Sequence, residues 1–171
     1  MKFMVIRKNV TCDGEGLRTS VYFSGCQLAL EGKACLGCHN SIAWDKNVGD
    51  EWTEDTKKVV LDSLEPTYVD GLSILGGEPL SDFNLDGVID LAKSVKERFS
   101  NKTIWVWTGY VLDDVMNLKP KVAELLKYVD YVVDGPFMKD LKEPDLRFRG
   151  STNQRILKIN NGEIIDMTNQ R

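Results

Sequence analysis

Between Leu17 and Val133 the chain alternates short runs rich in β-branched and aromatic residues with segments whose apolar residues recur at helical spacing. The strand candidates are Leu17 to Ser24 (LRTSVYFS), Asp70 to Leu75 (DGLSIL), Thr103 to Thr108 (TIWVWT) and Asp130 to Val133 (DYVV). Among the helical segments, TEDTKKVVLDSL starts with Thr53 as its N-cap and carboxylates in the first turn. A second, Phe83 to Phe99, puts Leu85, Val88, Ile89, Ala92 and Val95 on one face, and a third runs from Lys119 to Lys127. This βαβα order predicts a mostly parallel sheet covered by helices. Near the C-terminus, Asn161-Gly162 separates two alternating segments in RILKINNGEIID and predicts an antiparallel hairpin. A closed eight-stranded barrel typically takes about 250 residues. The 171 residues here supply five or six strands. The expectation is an α/β fold, an incomplete and open barrel, in a single domain spanning 1–171.

In parallel βα units the functional loops lie at the carboxyl ends of the strands. Here those loops carry a cysteine cluster, Gly76-Gly77-Glu78-Pro79, Gly109-Tyr110 and Asp134-Gly135-Pro136. A net charge of -4 argues against a direct nucleic-acid role driven by phosphate neutralisation. The apolar runs are far shorter than the roughly 20 residues of a membrane span. The N-terminus MKFMVIRKNVTCDGEG shows no secretion signal, so the expected location is cytoplasmic. In a reducing compartment, clustered cysteines bind metal more often than they pair.

The stretch SGCQLALEGKACLGCHN holds Cys26, Cys35 and Cys38, with eight residues between the first two and two between the last two. Three thiolates suit a [4Fe-4S] cluster with one iron left open to a substrate. The alternative is structural zinc, which closes on four ligands. His39 is the single histidine, but it adjoins Cys38 and its side chain tends to point elsewhere, so Cys12 is the better fourth zinc ligand. Gly76 and Gly77 let the backbone approach a ligand, and Glu78 can accept a charge-assisted hydrogen bond from a ligand amine. Read alone, Gly-Gly before Pro79 is an ordinary turn.

Together, the three-cysteine loop and the later Gly-Gly-Glu resemble the radical S-adenosylmethionine enzymes. Within them the chain is most similar to the anaerobic ribonucleotide reductase activating proteins, through DGEGLRTSVYFSGC (13–26), GCHNSIAWD (37–45), LGGEPL (75–80), IWVWTGY (104–110), YVVDGPF (131–137) and LRFRGSTNQR (146–155). It departs in one place: the family has three residues between its first two cysteines, which implies an insertion of five within Gln27 to Ala34.

The resemblance implies that Cys26, Cys35 and Cys38 hold the cluster and that Gly76, Gly77 and Glu78 meet the methionine amine of S-adenosylmethionine. Gly37, Cys38 and His39 would lie on the adenine side, with Thr108 and Asp134 on the methionine or ribose side. The cofactor would be reductively cleaved to a 5'-deoxyadenosyl radical, which takes hydrogen from a glycine in the C-terminal loop of anaerobic ribonucleoside-triphosphate reductase. The electron would come from a donor such as flavodoxin or ferredoxin. No membrane and no nucleic acid are implied as partners.

Other features have plainer readings beside these. Trp105 and Trp107 share a face and pack together; Arg147, Arg149 and Arg155 face the partner, bind an acidic group or lie at a solvated edge; Asp134 can be a turn residue and Cys12 an unliganded thiol. The competing functions are activation of another glycyl radical enzyme, a deazaguanine-forming radical enzyme of the 7-carboxy-7-deazaguanine synthase kind, and a zinc-stabilised binding module.

Overall fold

The structure, a computed structural model, describes residues 1–169. Its strands are β1 (Lys2–Val10), β2 (Arg18–Phe23), β3 (Asp50–Glu51), β4 (Gly71–Gly76), β5 (Thr103–Trp107), β6 (Tyr131–Asp134), β7 (Arg155–Asn160) and β8 (Glu163–Asp166). The helices are α1 (Gln27–Leu30), α2 (Glu54–Ser63), α3 (Asp82–Arg98), α4 (Leu112–Leu118) and α5 (Lys121–Leu125). No helix among the described residues is long and apolar enough to cross a membrane.

All eight strands form one sheet in the order β3-β1-β2-β4-β5-β6-β7-β8, with β3 and β8 as separate edges, so the sheet is open. The four strands read from the sequence form its parallel centre, β2-β4-β5-β6. The pairs β1-β2, β1-β3, β6-β7 and β7-β8 are antiparallel. Two expectations are therefore corrected. The sheet has eight strands instead of five or six, and four of its seven neighbouring pairs are antiparallel. The excess lies at the flanks. In β1 (KFMVIRKNV), whose outer side is paired only at Lys2 and Phe3, charged and apolar residues mix and none is fully buried, so burial leaves little imprint on its sequence. β3 is two residues long, too short to show a period.

Local chemistry explains the elements that were foreseen. Thr53 caps α2 by accepting a hydrogen bond from the Thr56 amide at 3.2 Å. Asn161 and Gly162 both adopt positive φ, 49° and 86°, the pattern of the tight turn that joins twisted strands. Alternation along the central strands then divides the sheet into two faces. One carries Val21, Ile74, Val106, Val132 and Leu157, which align across the register and are buried with Val88, Leu91, Ala92 and Val95 of α3 in the aliphatic core.

The opposite face is polar and aromatic. Ser73 pairs with Trp105, which stacks on Tyr131 and Trp107 at centroid distances of 4.4 and 5.6 Å. Arg18 is fully buried there and spends its five N–H groups on Ser73 Oγ, Thr103 Oγ1 and the carbonyls of Glu15, Leu72 and Thr103. Burial lowers its pKa to about 10, the nearest carboxylates notwithstanding. Tyr22 donates to Asp13 at 2.6 Å on the same face.

Candidate functional site

At the carboxyl ends of the parallel strands lies a cavity of about 270 Å³. Its wall takes Tyr22, Leu75 and Trp107 from the polar face of the sheet, Gly76 from the end of β4, Gly77 and Glu78 from the loop after it, and Thr108 and Gly109 from the loop after β5. The cysteine loop closes it with Cys26, Cys35, Cys38 and His39, while Phe137, Phe148 and Gln154 come from the segment between β6 and β7.

Backbone stitching brings these loops together. Gly77 N donates to Phe23 O at 2.8 Å and Glu78 N to Gly25 O at 2.9 Å; Gly25 N reaches Ala43 O at 2.8 Å and Cys26 N reaches Trp44 O at 3.1 Å. The first root of the cysteine loop is thereby tied to the loop after β4, and the second root to the first. Close approach explains the two glycines: a Cβ on Gly77 would stand 2.3 Å from Gly25 O and 2.5 Å from Ala43 O. Gly76, at φ 128°, would meet Phe23 O at 2.1 Å. They are needed first for backbone against backbone.

Glu78 is 1% exposed. Its Oε1 accepts from Leu80 N at 2.9 Å and Thr108 Oγ1 at 2.8 Å, and its Oε2 accepts from Gly109 N at 2.8 Å. Burial pushes its pKa up to about 7 against the pull of those donors. A carboxylate offers about four lone-pair sites, so one remains for a ligand. Thr108 in turn accepts from Tyr110 N at 3.1 Å within its own loop, and its bond to Glu78 joins the two strand-end loops through side chains.

The thiols differ in setting. Cys26 is buried, and desolvation pushes its pKa up to about 11, although the amides of Ala29 and Leu28 favour its thiolate. Cys35 is half-buried; burial raises it and the Phe137 amide works the other way. All are unpaired, Cys12 included. No three His, Cys, Asp or Glu side chains among the described residues stand close enough together to hold a single ion. Tetrahedral zinc at about 2.3 Å from each thiolate would need sulfurs about 3.8 Å apart. A cluster, whose irons each take one thiolate, accepts wider spacing, which suits three thiols that line one cavity. The His39 ring packs against Phe137 at a tilt of 55°, with centroids 5.1 Å apart.

The chain aligns with the anaerobic ribonucleoside-triphosphate reductase-activating protein of Enterobacteria phage T4 at 37% identity, covering 88% of this chain and 92% of that protein. Proteins of the same name in Vibrio cholerae and Escherichia coli are 36% and 35% identical, covering 84% and 83% of this chain and 89% and 88% of theirs. The chain belongs to this family of activating proteins. Residues 12–157 also match the family described as the 4Fe-4S single cluster domain. No solved structure matches the chain significantly.

Of the residues the family resemblance singled out, Cys26, Cys35, Cys38, His39, Gly76, Gly77, Glu78 and Thr108 line this one cavity. Gly37 and Asp134 are not among its lining residues. Gly37 takes φ 78° and faces the Lys139 side chain. Asp134, 1% exposed, faces the helical side, where Arg155 grips it with Nε at 3.0 Å and Nη2 at 2.6 Å and the Leu112 amide donates to it at 2.7 Å. Arg155 therefore binds an acidic group within the chain. Arg149 donates to the Gln154 carbonyl and Arg147 lies over the Phe148 ring.

Sequence reasoning missed Trp107, Phe148 and Gln154 as one construction. Phe148 adopts φ 59°, unusual for a bulky side chain, and its carbonyl accepts from Trp107 Nε1 at 2.9 Å. Gln154 holds the turn by accepting from Gly150 N and donating to Gly135 O. Turn chemistry of this kind leaves no periodic signal. The available hint was the density of Gly, Ser, Asn and Gln in FRGSTNQR.

Proposed function

We propose that this chain is a radical S-adenosylmethionine enzyme that activates anaerobic ribonucleoside-triphosphate reductase. Its open sheet is read as an incomplete barrel of the radical S-adenosylmethionine type in one domain. The observation that carries this reading is the meeting of three unpaired thiols with the Gly76-Gly77-Glu78 and Thr108 loops on one cavity.

Cys26, Cys35 and Cys38 are the proposed cluster ligands. A cluster held there would supply the electron for reductive cleavage of S-adenosylmethionine, the source of the radical that would take hydrogen from a glycine of the reductase. Glu78 offers its remaining lone pair to the methionine amine, and its three protein donors hold it in place for that contact. Thr108 acts as a positioning residue through Glu78. Gly76, Gly77 and His39 shape the wall on which the cofactor rests. Trp107 and Phe148 add apolar surface to the same cavity, which would help to exclude water from the reaction. Asp134 holds α4 and β7 together from behind, and Gly37 turns the loop between Cys35 and Cys38. The protein is assigned to the cytoplasm, where a flavodoxin or ferredoxin would deliver the electron.

The test is anaerobic reconstitution followed by incubation with S-adenosylmethionine, a reductant and the reductase. The expected products are 5'-deoxyadenosine and a glycyl-type doublet in electron paramagnetic resonance. Cleavage without the doublet would reject the reductase as partner while leaving the radical chemistry. Iron-free protein that instead binds zinc tightly would reject both.

A further inference from the structure

Eight residues separate Cys26 from Cys35, and a flexible loop of that length would leave the Cys26 side of the cavity open to water. The segment is instead folded. Cys26 precedes α1, and Gln27 at its first position makes five hydrogen bonds through its amide and side chain: its N donates to Ser81 Oγ at 3.0 Å, its Nε2 to Glu31 at 2.9 Å and Asp82 at 3.2 Å, and its Oε1 accepts from Asp82 N at 3.0 Å and Lys119 Nζ at 2.7 Å. Lys119, its side chain only 12% exposed, also reaches Leu80 O and Asp82 Oδ1, each at 2.8 Å, and lies over the Tyr110 ring. A half-buried cation thus clasps the inserted segment to the loop that follows Glu78.

The clasp fixes what comes next in the chain. Leu28 lines the cavity with Cys26 and Cys35. It presses on the loop after β5 so closely that a Cβ on Gly109 would stand 2.9 Å from Leu28 Cδ1, 3.5 Å from Glu78 Oε2 and 3.9 Å from Cys35 Sγ. Ordering backbone costs about 1–2 kcal/mol per residue, so an inserted loop is held still only where bonds such as these offset that cost. The bonds converge on Gln27 and the apolar wall on Leu28.

We propose that the Gln27–Ala34 segment is a fitted cap, locked by the Lys119–Gln27–Asp82 clasp, that controls how quickly small oxidants and reagents reach the Cys26 side of the cavity. Where the segment carries a cluster, as the functional reading above holds, the same cap shields it from solvent. Lys119 and Gln27 are positioning residues that act through Leu28.

The test uses metal-free protein, so that it stands apart from the cluster assignment. Iodoacetamide labelling followed by mass spectrometry gives a separate rate for each cysteine, with the exposed Cys12 as the internal reference. Gln27→Ala and Lys119→Met are expected to raise the Cys26 to Cys12 rate ratio severalfold. Leu28→Ala, which leaves the clasp intact, is expected to raise it in the same direction and serves if the clasp variants do not fold. A ratio unchanged in all of them overturns the proposal, as does a rise at Cys12 equal to that at Cys26. In reconstituted protein the variants should take up the same iron as the unmodified chain yet bleach faster in air. Failure of the unmodified chain to take up iron would reject the cluster assignment, while the labelling ratio would still decide on the cap.

Discussion

On the strand side of the cavity Glu78 is buried, with three donors fixed to it, and the glycines beneath it pack backbone on backbone. On the cysteine side Cys35 and Cys38 are half-buried and Leu36 between them is 76% exposed, on the part of the loop that lies beyond the Gln27 bonds. The contrast separates two tasks. The strand side is finished by protein bonds alone and gains its precision from burial. The cysteine side is held at Gly25–Cys26, at the bonds of Gln27 and at Ala43–Trp44, and leaves the path around Cys35 to Cys38 to whatever its thiols bind.

The largest effect that would sharpen this contrast is loss of the metal centre without loss of the fold. Ser at Cys26, Cys35 or Cys38 should abolish iron binding and cofactor cleavage, whereas Cys12→Ser retains both. In metal-free protein Cys35→Ser and Cys38→Ser should move unfolding free energy by less than about 0.5 kcal/mol, as at ordinary surface positions. A clear fall in their urea midpoints would mean that the loop is built into the core and would break the comparison.

Next comes the opposite pattern behind the strand side. Arg155→Met leaves the Asp134 carboxylate buried without its cation, and breaking a buried pair costs about 3–5 kcal/mol. The lower end applies because the guanidinium keeps some contact with water. Urea unfolding should report that loss, with affinity for S-adenosylmethionine in the folded protein unchanged. If Asp134→Asn weakens cofactor binding and leaves the midpoint in place, Asp134 acts on the cofactor directly.

Glu78 adds a pH dependence. Its folded pKa of about 7 stands above the ordinary 4.5, so the folded protein retains a proton that the unfolded chain releases. Its contribution to stability is therefore complete below about pH 4.5 and falls away as pH rises through 7, by at most about 3 kcal/mol. In Glu78→Gln that slope should vanish from the difference between unfolding free energies at pH 5 and pH 7.5. The same variant should bind S-adenosylmethionine more weakly by about 1.5–3 kcal/mol, the worth of a charged hydrogen bond, measured by equilibrium titration. Unchanged affinity would restrict Glu78 to joining loops. The smallest effect is Trp107→Phe, which removes the bond to the Phe148 carbonyl and should cost about 1 kcal/mol in thermal unfolding.

The parallel centre was legible because β2, β4, β5 and β6 are buried strands with strong composition, and α2 and the Asn161-Gly162 turn announced themselves through capping and turn chemistry. β1 and β3 were not, since a strand with no fully buried residue shows little alternation and two residues carry none. α4 was missed because α4 and α5 are separated by little more than Lys119 and Pro120, and the helix expected from Lys119 onward absorbed the signal. At the site, spacing and family motifs marked the cysteines and Gly76 to Glu78. What they could not reveal is where each side chain points. Asp134 ends a central strand as expected, yet the pleat turns it to the helical face and Arg155 occupies it. The bonds of Gln27 to Asp82 and Lys119 join positions 55 and 92 residues apart, beyond any local pattern.

The long reach of the central pairings also sets an order in time. The β7-β8 turn closes neighbours and can form within about 1–10 μs. Arg18 meets Ser73 across 55 positions, and Thr108 reaches Glu78 across 30, so those bonds wait for the slow closure of long loops. None of them involves a cysteine. The sheet and the floor of its cavity therefore rest on pairings that need no metal to form.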